Sequence, residues 1–360
     1  MLNRILFFSI LTALLSPPLH AADPSTSTLI EQGHYRRAEA ILTERLKINP
    51  NDAQSYCEMS KVSQAFQRWD DAIQQAEKAV SLDHKNPEFQ AALADALGSK
   101  LEQAQMGIFA KASLARRFKK EADLALQLDP NNIDANEDLM DFYLDAPGFV
   151  GGDKKKAADL ADRMVHINPV RGYLMKADFA SREKQMAEVE PLLQQAIAAD
   201  PKSYYARMQA ATFYLDKGTA TFPQAEEQAK QAIKLDPERI RAYAILATIY
   251  AQQSRWKDLD SVVADAQRNV PDDLAPQYQA ARVIYVNNQT PELARAEKYM
   301  RNYVALPVEG AEPSLAAAHW RLGLILEKEG RKDQAKQELQ QAINLDPAFE
   351  PARKDLKRLQ

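Results

Sequence analysis

Residues 316–347 read AAAHWRLGLILEKEGRKDQAKQELQQAINLDP, and this stretch decides the fold. Leu322, Leu326 and Leu339 return at helical spacing, while Ala335 and Ala342 stand seven residues apart, two turns along one helix face. Small residues there, with Gly323 beside Leu322, let a neighbouring backbone approach closely. Leu345-Asp346-Pro347 then stops the run, because proline cannot continue a helix and biases its predecessor away from helical backbone. The stretch predicts two helices and a stop.

The same stop recurs along the chain, at Ile48-Asn49-Pro50, Leu128-Asp129-Pro130, Ile167-Asn168-Pro169, Ala199-Asp200-Pro201 and Leu235-Asp236-Pro237. Leu82-Asp83-His84 fills the slot with His for Pro, and Asn269-Val270-Pro271 and Ala305-Leu306-Pro307 are degenerate copies. The spacing clusters at about 34 residues, the length of a two-helix repeat, and each marker is expected to end one helix and open a connection. Small residues return at fixed offsets before the markers, as Ala38, Ala72, Ala157 and Ala225, then Ala79, Ala125, Ala196, Ala232 and Ala266. Tyr35, Trp69 and Trp256 sit where an aromatic would fill the turn between the two helices. Together these residues resemble the tetratricopeptide repeat. The resemblance implies an all-α fold, a right-handed α-solenoid of about nine antiparallel helix pairs over residues 23–348, with a C-terminal capping helix at 349–360. Alanine and leucine at these positions are read as packing residues.

The chain has 360 residues, 46% hydrophobic and 27% charged, with 11 glycines, one cysteine and a net charge of −4. The apolar fraction is too high for disorder, and one cysteine excludes a disulfide framework, a CxxC redox pair and a zinc ribbon. So little glycine argues against a Rossmann or β-sandwich chain with its many tight turns. Forty-six basic against 50 acidic side chains leave no global field to recruit nucleic acid or anionic lipid. Length alone predicts about two domains at roughly 150 residues each, a prior that a repeat array replaces with one quasi-linear unit.

Residues 1–22 read as a secretory signal peptide. Arg4 precedes the apolar run Ile5 to Leu15, followed by Ser16-Pro17-Pro18 and the small pair Ala21-Ala22, after either of which cleavage is expected. That run is too short to span a bilayer, and no other long apolar run follows, so no transmembrane segment is expected after its removal. The expected location is a bacterial periplasm, with secretion as second choice.

Two units depart from the period. Residues 98–115 hold about 12 extra residues of helix-forming composition, which predicts lengthened helices. Residues 146–153, Ala-Pro-Gly-Phe-Val-Gly-Gly-Asp, predict a real loop with Asp153 capping the next helix. Its glycines precede Lys154, but a phosphate-binding loop needs GxxxxGK[ST] after a strand, whereas Asp153 intervenes here and a helix precedes. No cofactor is expected.

Nor does the sequence spell out catalysis. His34, His84, His166 and His319 are scattered without metal-ligand spacing and are read as surface residues, so no metal is expected. No GxSxG elbow occurs, and Cys57 is read as a packed or partly exposed thiol. Surface remains. Ile133-Asp134-Ala-Asn-Glu137-Asp138-Leu-Met-Asp141-Phe-Tyr-Leu-Asp145 lines carboxylates along one face opposite Ile133, Leu139, Met140 and Tyr143. Mutual repulsion along that stripe would be relieved by a basic ligand, although a solvated face is the alternative. The family resemblance implies that the first helix of each pair lines a concave groove where peptides or partner helices dock. Tyr205, Met208, Arg241 and Trp320 stand on such helices, Trp320 alternatively packing against the capping helix. The family's clamp for C-terminal carboxylates is unmatched, because Glu88, Asp95, Asp134 and Asp141 stand where positive or amide groups are needed. The expected function is a non-enzymatic protein-interaction scaffold or assembly factor. Asp134, Glu137, Asp138 and Asp141 would meet a basic segment of a protein partner, with no nucleic acid involved. An envelope-glycan or small-ligand binder using Tyr205 and Trp320 is the alternative.

Overall fold

The computed structural model describes residues 24–102 and 106–360. The predicted signal peptide therefore lies outside the described residues. Among those, nineteen α-helices and two single-turn 3-10 segments occur, and no strand. The first three pairs are α1 (Thr26–Gln32) with α2 (Tyr35–Ile48), α3 (Ala53–Ala65) with α4 (Trp69–Leu82), and α5 (Pro87–Glu102) with α6 (Ile108–Leu128). Next come α7 (Ile133–Asp145) with α8 (Lys154–Ile167), α9 (Pro169–Arg182) with α10 (Met186–Ala199), and α11 (Tyr204–Asp216) with α12 (Phe222–Leu235). The last three pairs are α13 (Ile240–Gln252) with α14 (Trp256–Asn269), α15 (Ala275–Val286) with α16 (Leu293–Val304), and α17 (Leu315–Lys328) with α18 (Lys332–Leu345). Helix α19 (Glu350–Leu359) caps the array by packing on α18. This is a right-handed α-solenoid of nine helix pairs.

The stops work through the aspartate as much as the proline. Asp129, Asp200, Asp236 and Asp346 each leave the helix in extended backbone, and each side chain then accepts the amide two residues on, at 2.8–3.1 Å. That local bond closes the turn while the proline between them restricts φ. Pro169 departs from the expectation. There the connection is one residue long: Asn168 ends α8 and also caps α9, accepting the Arg171 amide at 3.2 Å, so Pro169 begins a helix instead of a loop. The offset alanines Ala38, Ala72, Ala79, Ala125, Ala157, Ala196, Ala225, Ala232, Ala335 and Ala342 have no exposed surface, which confirms them as the close-packed seams between helices. The long unit is built as read, from a 16-residue α5 and a 21-residue α6, with residues 103–105 of the insert outside the described set. Asp153 caps α8, accepting the Lys155 and Lys156 amides.

The array also meets itself. The α1–α2 turn docks against the sixth to eighth pairs and the stretch after α16. Gln32 Nε2 donates to Asp236 Oδ1 at 3.3 Å, His34 Nδ1 lies 3.2 Å from Asp272 Oδ2, and Arg36 Nε donates to the Val308 carbonyl at 2.8 Å. The Arg36 amide donates to Glu309 Oε2 at 2.9 Å, and the Ala311 amide to the Ala65 carbonyl at 2.8 Å. Gly310 makes that last approach possible, since its φ of +90° disfavours other residues and an added Cβ would press on the Ala65 oxygen at 3.2 Å. His34, expected at the surface, is therefore buried, 3% exposed, by a contact between parts of the chain more than 200 residues apart. His319 is half-buried too, its Nδ1 2.7 Å from Glu338 Oε2; His84 and His166 are exposed as expected.

The closure is proton-linked. The Asp272 hydrogen bond raises the His34 pKa, while the same bond lowers that of Asp272. Burial pushes Asp273 up to about 6 and also raises Glu309. A raised histidine stabilises the closed form fully below its unfolded pKa and loses that contribution as pH rises through the folded value. The raised carboxylates act in the same direction, and the depressed Asp272 withdraws its share only as pH falls below its ordinary value. Closure is thus tightest in mild acid. His34→Gln should cost about 1.5 kcal/mol near pH 5.5, and that deficit should shrink to a few tenths by about pH 8. Paired urea melts at the two pH values check it, and a deficit that grows with pH would contradict the assignment.

Candidate partner-binding groove

The acidic stripe of α7 lies in the concave groove, where the first helices of successive pairs stand side by side. Three adjoining cavities run along it. One, of about 380 Å³, is bounded by Ile30 of α1 and Tyr35 of α2, Lys61 and Gln64 of α3, Asp95 of α5 and Asp134, Glu137 and Asp138 of α7. A second, of about 620 Å³, lies between α5, α6 and the 146–153 loop, with Asp138, Asp141 and Asp145 along one wall. The third, of about 400 Å³, reaches from Glu137 and Asp141 across α9 to Tyr205 and Phe213 of α11. The apolar face of α7 is buried as expected through Leu139, Met140 and Tyr143.

Most of these carboxylates have a cation from the next pair. Arg171 Nε donates to Glu137 Oε1 at 2.6 Å and its Nη2 to the other carboxylate oxygen, while its guanidinium lies 4.4 Å from the centre of the Tyr205 ring. Arg182 gathers Asp141 and Asp145 of α7 and Asp178 of its own helix, at 2.8, 2.9 and 2.8 Å. Lys61 Nζ stands 3.8 Å from Asp134 Oδ2. Asp138 differs: its Oδ2 is sealed from solvent and has no hydrogen-bond partner. Burial pushes its pKa well above the ordinary carboxylate range, and Asp95, Asp134, Asp141 and Glu137 push in the same direction. Burial likewise raises Asp95 and Glu137, Arg171 opposing it at Glu137, and lifts Asp141 to about 6 against the pull of Arg182. The groove wall thus gathers carboxyl groups whose ionisation is opposed by burial and by one another.

Of the residues singled out from sequence, the structure brings Asp134, Glu137, Asp138, Asp141 and Tyr205 together. Met208 does not join them; it points into the core and is 3% exposed, because it falls on the face of α11 that meets neighbouring helices. Trp320 takes its alternative place, stacked edge-on against Phe349 at 5.8 Å with Nε1 donating to Asp355 Oδ2 of α19 at 2.8 Å. Arg241 is exposed at the start of α13, near Tyr35 and Tyr204. Asp95, Lys61, Arg171 and Arg182 were not singled out as binding residues. The usable signal was the repeat itself: Arg171 follows Glu137 by 34 residues, one period, the register at which neighbouring first helices meet. Cys57 is packed, and burial pushes its thiol up to about 11, which leaves it protonated and unreactive at neutral pH.

A superhelix of helix pairs with an open concave face defines a repeat scaffold that works through protein–protein contacts. Residues 29–96 and 316–349 match models of the tetratricopeptide repeat, so the chain carries tetratricopeptide repeats. No curated protein matches the sequence. Among solved structures the chain is similar in fold to yeast Tom70, with a TM-score of 0.50 at 14% identity, over 93% of this chain and 79% of that one. The human IFIT1 dimer with m7Gppp-AAAA gives a TM-score of 0.48 at 20% identity, over 93% and 79%. No helix of the described residues is long and apolar enough to cross a membrane.

Proposed function

We propose that this protein is an exported scaffold or assembly factor that works by binding rather than catalysis, and that its groove along α7 holds a basic segment of a partner protein. One observation carries the reading: carboxylates from α5 and α7 line three adjoining cavities, and Asp138 among them has no counter-charge. Carboxylates held in a concave wall repel one another and raise local cation concentration, so a Lys- or Arg-bearing segment gains what the free protein lacks. The leader-like residues 1–22 support export, with the periplasm as destination.

Charge reversal along the α7 face is the test. Because Asp138 Oδ2 is shut off from solvent, Asp134→Lys with Asp141→Lys is the cleaner pair, both side chains being about half exposed at 48% and 49%. Crosslinking and mass spectrometry in native cells should recover a partner through a basic segment mapped to α5, α7 and α9. The double variant should lose that crosslink while melting like the wild type. Retention of the crosslink by the reversed groove, or a full-length chain in the cytoplasm, would overturn the corresponding half of the proposal.

A further inference from the structure

Asp95 and Asp138 are the two side chains that line both the 380 Å³ and the 620 Å³ cavity, so they stand at the neck between them. Asp95 is held in place: its Oδ2 accepts from Gln64 Nε2 at 3.1 Å, and Gln64 is itself oriented by Ser99 Oγ donating to its Oε1 at 2.8 Å. Asp138 Oδ2 is shut off from solvent and unpartnered. Three cations of the groove are engaged elsewhere, Lys61 with Asp134, Arg171 with Glu137 and Arg182 with Asp141, Asp145 and Asp178, while Lys111 of α6 lines the larger cavity without an ion pair to either neck carboxylate. An acceptor buried without a donor is destabilising by about 1–3 kcal/mol, more when charged, so a fold that keeps one has a vacancy for a donor.

Resting on the groove reading above, we propose that the Asp95–Asp138 neck seats a primary ammonium group on an aliphatic stem, the side chain of a lysine in the partner segment. The chemistry of the site selects that group. Among the described residues no set of three or more His, Cys, Asp and Glu side chains is placed to hold a metal ion. A guanidinium spreads its charge over a planar fork, whereas an ammonium is a compact charge with three donors, the smaller group to fit between Asp95 and Asp138 at the neck. Leu101, Ile108, Phe118, Phe142 and Val150 give the larger cavity an apolar lining for the methylene stem. Desolvation at the neck raises the cost of leaving the carboxylates bare and strengthens their attraction for a donor that reaches them.

Titration calorimetry on the full chain near pH 7.5 tests this with three probes: pentylamine, its N-trimethyl derivative, and a blocked hexapeptide alternating lysine and leucine. The peptide should bind, pentylamine should bind more weakly, and the trimethyl derivative, which has no N–H donor, should lose roughly tenfold relative to pentylamine. Asp138→Asn should weaken the peptide by roughly thirtyfold or more, while its melting temperature stays level or rises because an uncompensated buried acid is gone. A peptide that binds Asp138→Asn as tightly as the wild type overturns the ammonium seat and leaves the basic-segment groove standing. Pentylamine bound through Asp138 with the peptide unbound overturns the lysine assignment in favour of a free alkylammonium, and the groove reading with it. Failure of peptide and amine alike overturns both.

Discussion

Replacing Gly172 with alanine should destabilise the protein by about 3 kcal/mol and lower its melting temperature by several degrees. The reason lies in the one-residue joint at Asn168. With the end of α8 and the start of α9 sharing a cap, the first turn of α9 presses on the last turn of α8, and a Cβ at Gly172 would sit 2.2 Å from the Val165 amide nitrogen and 2.4 Å from its Cα. The obstruction is backbone, so no rotamer change relieves it and the hairpin must open. Opening moves Arg171, one residue away, off Glu137 and Tyr205, so the groove wall should loosen together with the fold. Gly148→Ala is the control, since nothing lies within 4 Å of its Cβ position. Urea melts of the two variants decide the matter, and equal stability would show that the joint is not the tight contact described here.

The second large effect is expected at Arg171. Arg171→Met keeps much of the side-chain length and loses the charge, leaving Glu137 among Asp134, Asp138 and Asp141 without its cation. Breaking one partner of a largely buried pair is destabilising by about 3 kcal/mol. The pH dependence has a definite sign. Glu137 already has a raised pKa in the folded chain because burial outweighs Arg171, and removal of Arg171 raises it further. A carboxylate whose folded pKa is raised weakens the fold as pH rises through that value, so the deficit should be largest above neutrality and fade in acid as Glu137 takes up a proton. Adding Glu137→Gln should restore most of the loss at neutral pH. A deficit that is flat with pH would mean that Arg171 acts by packing on Tyr205 instead.

Much of this molecule is written locally. The Asp-Pro stops and offset alanines place eighteen paired helices because each signal acts within one or two turns, through an Asx bond, a missing amide or a missing side chain. The acidic face of α7 is legible for the same reason, since spacings of three and four residues put Asp134, Glu137, Asp138 and Asp141 on one side. What neutralises that face is less legible, because Arg171 and Arg182 arrive from the next pair and only the register between neighbours reveals them. Met208 and Trp320 show the limit of an offset argument. Both lie on first helices, yet a shift of one residue around α11 turns Met208 into the core, and α19 covers Trp320. His34 had no local signal at all: its partner Asp272 is 238 residues away, and contacts at that separation leave no periodic trace in the chain.

Repeat arrays ordinarily behave as one-dimensional systems, in which each unit answers only to its neighbours and the terminal units fray first and independently. Here Gln32, His34 and Arg36 tie the first pair to Asp236, Asp272 and Val308. Loss of order at the amino end therefore strips contacts from the sixth to eighth pairs, and melting there releases the first pair in turn. The boundary condition is that of a loop instead of a rod as far as the eighth pair, so the first pair is no free end, and unfolding has an open end only at the ninth pair and α19.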